Sequence, residues 1–300
     1  MNGRFINLQA STERREAMEV QLRALGLQHI GRLEATDTHS LPTHAASPNA
    51  PVSPREHACF LSHARAIDSA PPGDFFLVLE DDALLSRALP PLLGQPDALA
   101  QLEGFDLVFL ECMPSIAAPG LLALWQGLRK HLPHDAGAPR DAIGGIEILD
   151  ARGLYNWGAV AYLVTPRGQR TLPPLLREAL AEGPALAFDM TLGALLHGER
   201  IRAAVLAPFL ATPTLRSHAQ STIDDRPRAA ENDALAGALR RLFFAGPLDG
   251  PAHDEPGHGE PGVDAHLGAY RHAPLTQDPQ LQLLADLMAQ LFVIAARPAR

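Results

Sequence analysis

Five apolar residues, Phe75-Phe76-Leu77-Val78-Leu79, run without a spacer into three acids, Glu80-Asp81-Asp82. An unbroken apolar run of strand length, with Pro71-Pro72-Gly73 before it, suits a strand buried on both faces, as in a parallel sheet covered by helices. Phe105–Leu110, Gly158–Val164 and Ile201–Pro208 are runs of the same type. Arg4–Leu8 is a shorter one. It is followed by a helix capped at Ser11 or Thr12, with Met18, Leu22 and Leu25 on one face and Gly26 at its end. A second strand is expected ahead of Asp37. Strand, loop, helix and strand at the outset predict an α/β fold.

A sheet buried on both faces needs a large core, and 46% of the 300 residues are hydrophobic. The formal charge of −9 lacks the basic field of a nucleic-acid binder, so no nucleic acid is expected as partner, while a phosphate-bearing small ligand is not excluded. Cys59 and Cys112 lie in apolar contexts and read as buried small hydrophobes. No segment approaches the roughly 18 uncharged apolar residues of a membrane span. The N-terminal segment shows no leader pattern, so the chain is expected in the cytoplasm.

Thr38–Val52 reads as a long Pro/Ser/Asn/His loop, either a lid or disorder. Ser53-Pro54-Arg55-Glu56 then opens a helix, with serine as N-cap, proline at the first helical position and Glu56 closing a capping box. Phe60, Ala64 and Ile67 form its buried stripe. A later helix is expected to break near Pro173-Pro174. Three segments follow from these shifts: a domain over 1–223, a Gly/Pro/His-rich linker over 224–277, and a C-terminal helix over 278–300 with Leu284, Leu287, Met288 and Leu291 on one face. The histidines of the linker lack zinc-site spacing. Phosphate-loop and GxGxxG motifs are missing, which leaves kinase and dehydrogenase readings unsupported.

Ligand crevices of open α/β sheets lie at the carboxyl ends of the strands, where Glu80-Asp81-Asp82 stands. Persisting extended geometry would put Glu80 and Asp82 on one face and Asp81 on the other. Two carboxylates about 4 Å apart repel by roughly 4 kcal/mol at an effective dielectric of 20. A hard divalent cation, Mn²⁺ or Mg²⁺, removes that cost and bridges a diphosphate. The competing reading is a solvated acidic turn ahead of a helix at Ala83–Leu89.

Four segments in one order, FINLQASTERREAM, RLEATD, SPREHACFLSHARAI and FLVLEDDALL, together resemble glycosyltransferase family 25, the lipopolysaccharide biosynthesis glycosyltransferases, which include collagen galactosyltransferases. WGAVAYLVTPRGQRTL and Phe188-Asp189 are similar to later family segments, and the likeness spans roughly residues 4–223. Gln9 stands where the family has aspartate, and Arg55, His57 and Ala58 replace its small and apolar residues. The resemblance implies a GT-A type fold, a Rossmann-like mixed sheet flanked by helices. It also implies inverting transfer, galactose favoured, from a UDP-sugar to a lipopolysaccharide or other glycan or glycolipid acceptor, with Mn²⁺ or Mg²⁺. A membrane-anchored acceptor would bring peripheral contact with the inner membrane.

On that basis Asp82 is the expected metal ligand, Glu80 serves the metal or the donor ribose, and Asp81 the donor. His218, ahead of Gln220-Ser221-Thr222-Ile223, completes the metal or diphosphate site. Inverting transfer needs a base for the acceptor hydroxyl. Asp189 is the first choice, against a role as N-cap, and Glu111, after its strand, the alternative, against an exposed strand end. Asn7 and Leu8 are read as lining the uracil and ribose pocket. Arg14 and Arg15 reach the diphosphate or form a solvated helix face. Asp37 holds a ribose hydroxyl or a turn. Glu56 is a cap first and a ligand contact second, and His63 faces the donor or packs partly buried. Trp157 and Tyr162 stack on a sugar or belong to core or rim. Two other classes remain open on the sequence: a non-catalytic nucleotide-sugar or glycan-binding relative, and a metal-dependent phosphohydrolase or nucleotidyltransferase.

Overall fold

The computed structural model describes residues 1–41, 51–115, 118–133, 138–139, 141–214 and 239–246. The expected C-terminal helix, His218, most of the Thr38–Val52 loop and all of the expected linker but residues 239–246 lie outside those residues. The described chain is the expected α/β fold with a mixed sheet flanked by helices. Its strands are β1 (Asn2–Asn7), β2 (Ile30–Glu34), β3 (Phe76–Glu80), β4 (Ala83–Leu85), β5 (Leu107–Phe109), β6 (Met113–Pro114), β7 (Glu147–Asp150), β8 (Tyr155–Trp157), β9 (Ala161–Val164), β10 (Ala203–Ala207) and β11 (Ala211–Pro213). The helices are α1 (Thr12–Ala24), α2 (Pro54–Asp68), α3 (Leu89–Leu93), α4 (Pro96–Ala100), α5 (Ala118–His131), α6 (Gly168–Leu180) and α7 (Phe188–His197).

Seven strands form the main sheet in the order β2-β1-β3-β9-β5-β10-β7. β1 pairs parallel with β2 and β3, and β5 with β10. The Gly158–Val164 run differs from its expected kind. Its core β9 is antiparallel to both β3 and β5, so its amino end meets their carboxyl ends.

β3 shows why an unbroken apolar run belongs here. Phe76 and Val78 pack with Phe60, Ile67, Leu172 and Leu192 on one face of the sheet. Leu77 and Leu79 pack with Met18, Leu22 and Leu85 on the other. At about 1.5–3 kcal/mol for each fully buried large apolar side chain, this strand ties both faces together.

Two local expectations are corrected. Ala83–Leu85 is a strand rather than the start of a helix. It pairs with β11, and the buried Gln21 amide clamps it, donating to the Ala83 carbonyl and accepting from the Leu85 amide, both at 2.8 Å. The helix expected to break at Pro173-Pro174 is continuous as α6, because Leu172 and Leu176 are buried against the core and hold it there. The Ser53–Glu56 capping box is present as expected. Among the described residues, no helix is long and apolar enough to cross a membrane.

Gly168 opens α6 where a Cβ would stand 1.9 Å from the Asp106 carbonyl oxygen. Asp106 is fully buried and tied to Arg167 and to the Arg202 amide, so this backbone cannot give way. Gly168→Ala should therefore lower stability by roughly 1–3 kcal/mol in urea unfolding, as overpacking does in a filled core.

Candidate active site

The carboxyl ends of β1 and β3, the amino end of β9 and the first turns of α1, α2 and α7 surround a cleft of about 800 Å³. Antiparallel β9 is what brings Trp157, Gly158, Ala159 and Val160 to this edge of the sheet.

Strand geometry ends at Glu80, and Asp81-Asp82 form a turn into β4. The expected alternation therefore stops, and all three carboxylates line the cleft. Glu80 Oε1 lies 3.3 Å from His63 Nε2. Burial pushes this carboxyl up, but the His63 hydrogen bond and the charges of His63, Arg240 and Arg14 bring it below the ordinary range. Asp81 accepts from Asn7 Nδ2 at 2.7 Å and from Arg14 at 3.3 Å, and burial still holds it above the usual value. Burial and then the Glu80 charge push Asp82 up to about 7. Arg14 lies 3.7 Å from Asp82 Oδ2, while Oδ1 is buried and has no hydrogen-bond partner among the described residues. A carboxylate next to another carboxylate, with one oxygen left over, fits an oxygen-seeking divalent cation.

Asp189 lies in the first turn of α7, with Ala187 as N-cap, so its alternative as capping residue does not hold. Its carboxylate accepts from the Gly158 amide at 3.1 Å and the Met190 amide at 2.8 Å. Burial outweighs these bonds and raises its pKa. Gly158 has φ 99°, and a Cβ there would stand 3.3 Å from the Arg240 guanidinium, so glycine lets the amide face Asp189.

Leu8, Arg14, Asp37, Glu56 and His63 line the cleft with the triplet and Asp189. Asp37 also caps a short 3₁₀ turn through the His39 amide, and Glu56 closes the capping box. His63 is only 1% exposed. Its Nδ1 is 2.9 Å from the Tyr162 hydroxyl and its ring stacks on Phe188 at 4.3 Å.

Several sequence readings are corrected. Asn7 does not line the pocket. It is 1% exposed and spends its amide on Ser11, Asp81 and Arg32, so it supports the triplet from beneath. Arg15 does not line the cleft. Tyr162 is wholly buried, whereas Trp157 is on the rim. Cys59, expected in the core, is only partly buried and stands on the cleft wall. Glu111 is neither an exposed strand end nor a cleft residue. It is fully buried in a bidentate pair with Arg240, at 2.5 and 2.6 Å.

Arg240 itself was not legible in the sequence. It comes from beyond the change in composition and is held by the Phe209–Phe244 bridge, with bonds between Phe209 and both Phe243 and Ala245. It is 4% exposed, sits over the Trp157 ring at 5.6 Å and contributes to the cleft wall.

The family model of glycosyltransferase family 25 (LPS biosynthesis protein) matches residues 2–105, so the resemblance read from the sequence holds from β1 through α4. No curated protein matches the chain. Among solved structures, the chain is similar to the crystal structure of the galactosyltransferase LgtC in complex with donor and acceptor sugar analogs. The identity is 14% and the TM-score 0.38, over 100% of this chain and 98% of that one.

Removing one partner of a buried ion pair strands the other charge. Arg240→Met should cost about 3–5 kcal/mol in urea unfolding, and adding Glu111→Leu should recover most of it. An unchanged midpoint in the single variant would mean that the pair is not formed in solution.

Proposed function

We propose, from the family match over residues 2–105 and the cleft those residues help to build, that the chain transfers a sugar from a UDP-sugar to a lipopolysaccharide or related glycan acceptor. One observation carries this reading. The matched segment contains the buried strand β3 and the carboxylates of Glu80, Asp81 and Asp82 at its end, which line a cleft large enough for a nucleotide sugar. A diphosphate-bound cation gives all three a common purpose, which a solvated turn does not.

Asp82, with its unpartnered buried Oδ1, would hold Mn²⁺ or Mg²⁺, with Glu80 as the second carboxylate on the ion or as a partner of the donor ribose. Such an ion, when bound, neutralises the diphosphate as it leaves. Arg14 places a fixed cation beside Asp81 and Asp82, and Arg240, paired with Glu111, also lines the cleft. Asn7 and Arg14 hold Asp81 in place, and His63 holds Glu80. Leu8 and Asp37 supply an apolar and a polar contact for the nucleoside.

Asp189 is the base of this reading. Its two oxygens are oriented by backbone amides, and its raised pKa makes it a stronger proton acceptor than an exposed aspartate. It takes the acceptor hydroxyl proton as that oxygen attacks the anomeric carbon opposite the departing diphosphate, which inverts the configuration. Glu111 is not offered for this step, because its charge is already paired with Arg240. Galactose is the favoured sugar on the resemblance alone.

Thermal-shift titration with UDP-, GDP- and CMP-sugars, with and without Mn²⁺, tests the donor site. One UDP-sugar should stabilise the protein by about 2.7 kcal/mol at a hundredfold excess over its Kd, and only with the metal. Asp82→Ala should lose both that shift and transfer while keeping its circular dichroism. Transfer that survives Asp82→Ala would remove the metal assignment, and donor binding without transfer to any glycan would leave a binding protein.

Asp189→Asn should lower kcat by roughly 10²–10⁴-fold with little change in donor affinity. The base works only when deprotonated. Because burial raises its pKa, the wild-type rate should fall on acidification at a pH above the ordinary aspartate range. A flat rate down to pH 4 would exclude Asp189 as base.

A further inference from the structure

The cleft carries a second set of ligand atoms, which shares Glu80 with the transfer reading and adds Cys59, a residue that reading does not use. Cys59 and His63 are four residues apart on α2 and therefore share one face of that helix. Glu80 meets them from the end of β3. The Cys59 sulfur, a His63 ring nitrogen and a Glu80 carboxylate oxygen all lie within 4.8 Å of one another.

Tetrahedral zinc, with Zn–S of about 2.3 Å and Zn–N and Zn–O of about 2.0–2.2 Å, sets its ligand atoms roughly 3.3–3.6 Å apart. His63 Nε2 and Glu80 Oε1 already stand at 3.3 Å. The partly buried Cys59 sulfur lies within 4.8 Å of both and is the third corner of the triangle. His63 is also held as zinc-bound histidines are. Its Nδ1 meets the Tyr162 hydroxyl at 2.9 Å, and Phe188 packs flat against the ring, so Nε2 stays aimed at Glu80. All three ligands line the cleft, which leaves the fourth position to water.

We propose that Cys59, His63 and Glu80 form a binding site for a thiophilic divalent cation of the zinc class. The site is chemically distinct from the oxygen-only set at Asp82, because thiolate and imidazole select a softer ion than Mg²⁺ or Mn²⁺. On binding, the Cys59 thiol releases its proton to solvent. His63 Nε2 gives up the proton it shares with Glu80, also to solvent, and the proton that stays on the ring sits on Nδ1, where the Tyr162 oxygen accepts it. The two sets share Glu80, so zinc withdraws this carboxylate from the triplet and inhibits whatever the triplet serves. The binding itself does not depend on what that activity is.

The chain has only two cysteines, and Cys112 is fully buried beside Glu111, so a cobalt–thiolate signal can be traced. The full chain, stripped with EDTA, is titrated with Co²⁺ and then with Zn²⁺. One Co²⁺ per chain should produce a thiolate-to-cobalt charge-transfer band, which Zn²⁺ abolishes. Cys59→Ser should lose the band and weaken Zn²⁺ binding at least tenfold, while Cys112→Ser keeps both. In the unmodified protein, Zn²⁺ but not Mn²⁺ should slow alkylation of Cys59 at least tenfold, which tests the site without any substitution. No charge-transfer band, a band that survives Cys59→Ser, or alkylation of Cys59 at an unchanged rate would each overturn the proposal.

Discussion

Three carboxylates leave a buried strand in succession, and the surroundings of the cleft follow from the need to tolerate them. β3 is paired on both edges and packed on both faces, so its end opens where charge is poorly solvated. Each acid has a different answer. Glu80 is held ionised against its burial by His63 and two arginines. Asp81 is bound by Asn7 and Arg14. Asp82 has neither remedy in full, and it is the one driven up to about 7 with an oxygen left over. That unequal division makes Asp82 the natural seat for a cation and the other two its frame.

The antiparallel strand β9 is the second determinant. Placed between β3 and β5, it runs against both and delivers Trp157 and Gly158 to the edge where the carboxylates emerge. The left-handed Gly158 then turns its amide to Asp189, and the missing Cβ leaves room for Arg240. An all-parallel arrangement would have sent this end of the strand to the opposite edge of the sheet.

Much of this was readable in advance, for local reasons. Apolar run length marks buried strands, and the Ser53–Glu56 box marks a helix start, because both depend on neighbours in the chain. The readings that failed turned on distant partners. Ala83–Leu85 reads as a helix until the Gln21 clamp and the β11 pairing are seen. Asn7 reads as a pocket residue until Asp81 and Arg32 claim its amide. Cys59 reads as core until α2 turns it to the cleft.

The sequence by itself determined an α/β chain with an acidic triplet at the mouth of its most buried strand, because hydrophobic periodicity and adjacency are local properties. Tertiary structure alone decided which distant polar partners meet around it. Glu111 and Arg240 are 129 positions apart, and Asp81 reaches Asn7 across 74. No pattern in the intervening residues signals either pair. Their partnership comes from the order and direction of strands that bring distant chain ends to one edge of the sheet, where burial makes an unpaired charge costly.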